Sequence, residues 1–370
     1  MINFSSNDYL GLSDHPTLKA NAIEAIHQFG TGTGSARLIS GSLLLTHQLE
    51  ESLARWKKAE SALVFNSGYQ ANVAILQALL QPTDWVFCDR LNHASLIDGC
   101  LLSGARWTRY QHLDLDDLTR RLKKAPVKAS KWIVTDSVFS MDGDYPDLGK
   151  LVAIAKGFGA QIILDEAHAT GLYGDQYSSG LAEAFGVSKD IAVQISTFSK
   201  ALGGTGAFVT GSKTIINQLI NTARGFIYTT APAPASIAAA QAAVDLIQAD
   251  ALSCQTGKDS LKKRLWQNVD LFSERLHWHK NNKHPVAEKL YENLAWPLKS
   301  PVIPIVIGSE ENAVAASKHL EREGFFVHAI CPPTVPEGTA RLRISLSAAH
   351  TTDQVTGLVD ALTRIQSSIS

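Results

Sequence analysis

The chain has 370 residues, 45% apolar and 19% charged, with a formal net charge of −1 and a sequence pI near 6.9. A chain of this length buries a large core without disulfide staples. Its near-zero charge excludes a global field that would draw it to nucleic acid or to a membrane surface, so any anionic ligand must be held by local donors.

Cys88, Cys100, Cys254 and Cys331 are far apart and form no C-x-x-C pair. They read as neither a metal site nor a disulfide framework, and they fit a reducing compartment. Residues 1–5 lack the basic and apolar regions of a signal peptide. No apolar run reaches the roughly 18–20 residues of a spanning helix. The expectation is a soluble, cytoplasmic protein with no metal.

In chain order, short β-branched runs predict strands over 62–65, 85–88, 106–110, 132–136, 161–165, 191–197 and 207–210. Amphipathic stretches predict helices over 46–57, 69–80, 115–124 and 148–158 between them. This alternation argues for a mostly parallel, seven-stranded sheet with helices on both faces. In such sheets, function gathers where strands end and loops begin. Past about residue 250 the texture changes. The pattern predicts a long helix over 259–277, a polar irregular stretch over 280–299, a strand over 302–307 and a helix over 310–323. Strands over 325–330 and 342–346 and a last helix from Thr352 complete a smaller α+β domain. The expected divisions are an N-terminal segment 1–40, a large domain 41–250 and a small domain 251–370.

Three strand ends carry chemistry. The strand 161–165 delivers Asp165, followed by Glu166, Ala167 and His168. Asp-Glu-Ala-His after a strand also describes the metal-binding motif of helicase-type ATPases, which need a phosphate-cradling loop as well. The nearest match, 206–214, has one residue too many before Lys213 and follows the acidic motif instead of preceding it. Clustered basic surface is also lacking. After the strand 191–197, Lys200 stands among Ser199, Ala201, Gly203 and Gly204, where small neighbours leave room beside the amine. Pyridoxal phosphate (PLP) requires such an amine for its aldehyde and an acid for its pyridinium nitrogen, which Asp165 supplies. The third strand end runs through Phe65, Asn66, Ser67, Gly68 and Tyr69 into a helix, an arrangement that points free backbone N–H groups at a phosphate. A lone Ser-Gly turn is otherwise a helix cap.

Phe198-Ser199-Lys200-Ala201-Leu202-Gly203-Gly204, preceded by Asp165-Glu166-Ala167-His168-Ala169-Thr170-Gly171, resembles the α-oxoamine synthases. The likeness extends to Asn3-Phe4-Ser5-Ser6-Asn7-Asp8-Tyr9-Leu10-Gly11-Leu12, to Leu91-Asn92-His93-Ala94-Ser95 and to Ser137-Val138-Phe139-Ser140-Met141-Asp142-Gly143-Asp144. It implies a fold-type I PLP-dependent transferase, aspartate aminotransferase-like, working as a homodimer with shared active sites. It also implies roles by position. Lys200 carries the cofactor and then takes the substrate's α-proton, Asp165 pairs with the pyridinium nitrogen, and His168 bonds the ring hydroxyl. His93 stacks on the ring and touches substrate. Gly68 and Tyr69 form the phosphate loop, although Tyr69 also reads as plain core. Thr197 and Ser140 add hydroxyl contacts. Thr229 and Thr230 match a loop lent across the dimer to the neighbouring phosphate, with a surface turn as the alternative. Arg343 grips the amino acid's carboxylate, a task for a planar, always charged fork, and Thr334 contacts substrate.

Residues 332–343 are most similar to the branch of the family that joins L-alanine to a pimeloyl thioester, carried by coenzyme A or acyl carrier protein, on the way to biotin. A sibling using glycine or serine is the alternative. Family members usually place a helical segment with an acyl-binding arginine ahead of the 3–12 motif, and this sequence opens at that motif.

Overall fold

The computed structural model describes residues 1–365 other than 293, 295, 296 and 299. It divides into two compact units. The larger comprises Leu12–Phe139 and Tyr145–Gly257, the smaller Met1–Gly11, Ser140–Asp144 and the described part of Lys258–Ser370. The first 40 residues are therefore shared between the units.

In the larger unit the seven predicted strands form one sheet. The order is Ser61–Phe65, Ala207–Gly211, Val193–Thr197, Ala160–Asp165, Lys131–Asp136, Trp85–Asp89 and Arg106–Tyr110. Ala207–Gly211 is antiparallel to both neighbours, and the other pairings are parallel. Lys131–Asp136 and Val193–Thr197 are buried at every position. Strands covered on both faces read as continuous apolar runs. On one face Val86, Val134, Ile163, Ile195 and Val209 pack with Ala71, Ile75, Leu96 and Leu219 from Gly68–Leu79, Ala94–Ser103 and Lys213–Thr222. Their alternates Val64, Ile133, Ile162, Leu164 and Phe208 are also buried, and Leu44–Lys57 and Leu148–Phe158 pack against strands of the sheet. Helices Pro16–Phe29 and Pro234–Gln255 pack on each other.

The register sets the site. Asp136 and Asp165 are direct partners at the ends of adjacent strands, and Asp165 is opposite Ile195. Helix Gly68–Leu79 is capped by Ser67 Oγ, which accepts the Gln70 N–H at 3.2 Å. Helix Ala94–Ser103 is capped by His93, whose Nδ1 accepts the Ser95 N–H at 3.3 Å. Both caps satisfy otherwise orphaned helix donors.

The smaller unit has an antiparallel sheet in the order Ala329–Ile330, Ala340–Ser345, Val302–Gly308, and a parallel pair of Ile2–Asn3 with Phe325–Phe326. Helix Glu310–Arg322 packs on these strands, and Leu261–Asn281 packs on Thr352–Thr363, the last opened by a capping box of Thr351 and Gln354. Two expectations are corrected. The strand predicted over 325–330 is broken at Val327 and His328, because the His328 N–H donates to Ser5 Oγ at 2.8 Å and the segment changes partner there. The stretch 280–299, expected to be irregular, contains helix Pro285–Glu292, which buries Ala287 and Leu290 at helical spacing. Positions 293, 295, 296 and 299 of that stretch lie outside the described residues.

Candidate active site

Within the larger unit, the ends of three parallel strands converge on the starts of two helices. Asp165, 5% exposed, accepts the Asn72 side-chain N–H on Oδ2 at 2.7 Å and the Ala167 N–H on Oδ1 at 2.8 Å. Its carbonyl accepts the Ser137 N–H at 2.8 Å. Asp136 beside it accepts the backbone N–H of His93 at 2.8 Å. Burial, and next the negative charge of Asp165, push the Asp136 carboxyl well above its ordinary range, against the His93 hydrogen bond and the Lys200 charge. Two carboxyls in direct register do not share one desolvated site as two anions.

His93 is partly exposed. Its partial burial lowers its basicity below the usual histidine value. Lys200 adds to that effect, and Asp165 and Asp98 oppose it. Lys200 is near enough for its charge to bear on both His93 and Asp136. It stands three residues beyond the strand Val193–Thr197 in a turn closed by the Gly203 N–H on the Lys200 carbonyl at 2.9 Å. His168 is buried in the turn that follows Asp165.

Gly68 starts its helix against Thr197. A Cβ built on Gly68 would fall 2.6 Å from Thr197 Cγ2, and Thr197 Oγ1 is buried without a hydrogen-bond partner. As the first two residues of the helix, Gly68 and Tyr69 present N–H groups that have no intrahelical acceptor. An orphaned hydroxyl, free amides and a positive helix end are what a phosphate requires. The residues present therefore fit a phosphorylated cofactor, with an acid at the adjoining strand end and Lys200 three residues beyond the next strand. Tyr69 is 51% exposed and bonds Asp98 through its hydroxyl, so the core reading of this residue fails. Thr229 Oγ1 accepts from Gln70 Nε2 and the Thr230 carbonyl from Asn66 Nδ2, both at 2.9 Å, which ties that loop to the same helix start.

Ser140, Thr334 and Arg343 belong to the smaller unit. Arg343 is 6% exposed. It donates from Nε to the Ser140 carbonyl, from Nη1 to Ser345 Oγ at 2.9 Å, and from Nη2 to Asn7 Oδ1 at 3.0 Å and the Tyr9 hydroxyl at 3.4 Å. All four acceptors are uncharged; burial pushes the Tyr9 phenol up, against the Arg343 charge. Among the described residues no carboxylate pairs with this buried cation. Thr334 is exposed on a turn, its N–H on the Cys331 carbonyl at 3.1 Å.

Asn72, Ser95 and Asp136 were not predicted. Asp136 carried the same signal as Asp165, an apolar strand ending in an acid. Asn72 offered only a polar residue inside an apolar helical run. Among the described residues no cluster of His, Cys, Asp or Glu could hold a metal ion, and no helix is long and apolar enough to cross a membrane.

A mostly parallel seven-stranded sheet with a strand-end acid, a lysine and a phosphate-ready helix start defines the fold-type I, aminotransferase-like class. The family model for aminotransferase class I and II matches residues 1–362, and the chain belongs to that family. It is 45% identical over 360 residues to an 8-amino-7-oxononanoate synthase of Geobacter sulfurreducens, covering 97% of this chain and 87% of that protein. A solved 8-amino-7-oxononanoate synthase from Francisella tularensis superposes with a TM-score of 0.80 at 29% identity, covering 98% of this chain and 97% of that one. An SPT structure with PLP gives a TM-score of 0.90 at 28% identity, over 100% of this chain and 88% of that one.

Proposed function

We propose that this chain is a PLP-dependent 8-amino-7-oxononanoate synthase, condensing L-alanine with a pimeloyl thioester and releasing thiol and CO2. The observation that carries this reading is the near full-length identity to synthases of that name, joined to a site whose residues fit the cofactor. PLP bound there supplies an electron sink for negative charge on the amino acid's α-carbon.

The remaining work falls to the chain's own residues. Lys200 provides the amine that attaches the cofactor, and its Nζ then takes the α-proton. Asp165, held by two N–H donors, would pair with the pyridinium nitrogen. Gly68, Tyr69 and Thr197 would hold the phosphate, with Ser140 as a further hydroxyl, and His168 would bond the ring hydroxyl. His93 would pack against the cofactor ring and help orient the substrate bond that breaks. Arg343 binds the alanine carboxylate and Thr334 contacts substrate. Overall, a C–C bond forms at the acyl carbonyl while the C–S bond and the α-carbon–carboxyl bond break.

A second copy of the chain is part of the proposal, with Thr229 and Thr230 serving the neighbouring phosphate. Ile39, Leu44 and Tyr228, each more than 70% exposed, support such an apolar contact. A reducing, cytoplasmic setting follows from the pathway and agrees with the four free thiols.

The test is thiol release from pimeloyl-, acetyl- and succinyl-CoA with L-alanine, glycine or L-serine. Turnover should be greatest for L-alanine with the pimeloyl thioester. A preference for glycine or serine would move the chain to a sibling activity.

A further inference from the structure

Asn72 lies 2% exposed, one turn into helix Gly68–Leu79. Its side-chain nitrogen donates to Asp165 Oδ2 at 2.7 Å and to Ser95 Oγ at 2.9 Å, while its Oδ1 is buried with no partner. Ser95, fully buried, places Oγ 2.7 Å from His93 Nδ1.

Proton counts, together with the Ser95 backbone N–H, set the direction of the bonds in this chain. A carboxamide NH2 has two protons, and both of its neighbours here are oxygens. The flipped carboxamide would set its oxygen against two oxygens, 2.7 Å from Asp165 Oδ2 and 2.9 Å from Ser95 Oγ, so the amide orientation follows. Ser95 Oγ spends one of its two lone pairs on Asn72, which keeps its single proton available for a bare His93 Nδ1. The Ser95 backbone N–H also donates to Nδ1, at 3.3 Å. Nδ1 is therefore the bare nitrogen, and the neutral ring carries its proton on Nε2.

We propose that Asn72 and Ser95 are positioning residues that lock Asp165 to His93, holding the carboxylate as an acceptor and the imidazole as its neutral Nε2–H tautomer. Burial of His93 and the adjacent Lys200 favour the same uncharged ring, against Asp165 and Asp98. One helix thus joins the start at Gly68 to the acid and the imidazole, so phosphate, ring nitrogen and ring face are referred to a single rigid element. The inference rests on the PLP reading for its purpose, and on hydrogen-bond geometry alone for its tautomer.

The tautomer is read by NMR of ring-15N-labelled histidine, with His93→Gln assigning the signal, on cofactor-free and PLP-loaded protein. PLP affinity is measured by titration in parallel. Wild type should show neutral His93 protonated on Nε2 at pH 7. Asn72→Ala and Ser95→Ala should each give mixed tautomers and weaken PLP binding about tenfold. The double variant should also lose about tenfold, because both residues act in one chain of bonds. Ser95→Thr, which keeps the hydroxyl, should restore both properties. If Asn72→Ala does not fold, the Ser95→Ala and Ser95→Thr pair decides. A wild-type His93 protonated on Nδ1, or losses that multiply to about a hundredfold, would overturn the proposal. Failure of wild type to bind PLP would defeat the functional reading, and the tautomer in cofactor-free protein would still judge this inference.

Discussion

Gly68 and Thr197 meet so closely that a single methyl on the glycine would fall 2.6 Å from the threonine's own methyl. The Thr197 hydroxyl beside it is buried without a partner, although buried hydroxyls are ordinarily bonded. The contact brings a helix start and a strand end together, and the threonine that makes it carries one buried polar atom without a partner. Thr197→Val keeps the shape and removes the orphan. Cofactor-free protein should be as stable as wild type or more stable by about 1 kcal/mol, while PLP affinity falls about tenfold. Urea denaturation and PLP titration check the two halves, and a variant weakened in stability but not in PLP binding would contradict the assignment.

Lys57 and Glu166 form a fully buried ion pair at 2.6 Å, with Thr170 Oγ1 on the lysine at 3.0 Å and the Ala182 N–H on the glutamate at 2.8 Å. It fixes the turn that starts at Asp165. Lys57→Met leaves a buried carboxylate without its cation and should cost about 3–5 kcal/mol, whereas Lys57→Met with Glu166→Gln should recover part of that loss. Denaturant midpoints of the two variants make the comparison.

Stability should depend on pH through Asp136. The unfolded carboxyl titrates near 3.8 and the folded one well above it, from burial first and Asp165 second. Between those values the folded state holds the extra proton, so stability is lost as pH rises through the window and the loss is complete above the folded value. Asp136→Asn cannot ionise and keeps an oxygen for the His93 N–H. Its stability relative to wild type should therefore rise from about pH 4 upward and then level off. Urea titrations of cofactor-free protein across pH test this, and a difference independent of pH would contradict it.

Arg343 already satisfies neutral acceptors on four of its N–H contacts, so little but its charge and a remaining donor face a ligand. Arg343→Lys should lower kcat/KM for L-alanine by about 10–100-fold, since a charge-assisted bond of this kind contributes about 1.5–3 kcal/mol. The KM for the thioester should stay within about twofold, the margin of a few tenths of a kcal/mol. Steady-state kinetics with each substrate varied in turn separates the two.

The seven sheet strands were legible because buried parallel strands are unbroken apolar runs, as in Ile162, Ile163 and Leu164 ahead of Asp165. The places of Asp165 at a strand end and of Lys200 just beyond one were legible because charged residues at such positions stand out. Helix Pro234–Gln255 was not, since its many alanines are buried on several sides and leave no single apolar stripe. The break at Val327 and His328 depends on Ser5, 323 residues away, and local pattern carries no sign of it. Asn72 is of the same kind. Its partners Ser95 and Asp165 lie 23 and 93 residues along the chain, and only the fold brings them together.

The most direct test of the account is to load the purified protein with PLP, reduce it with borohydride and map the modified peptide by mass spectrometry. The cofactor should be found on the peptide carrying Lys200, with Lys200→Ala losing the label while still folding. Labelling at another lysine, or none in a wild-type protein saturated with PLP, would contradict it.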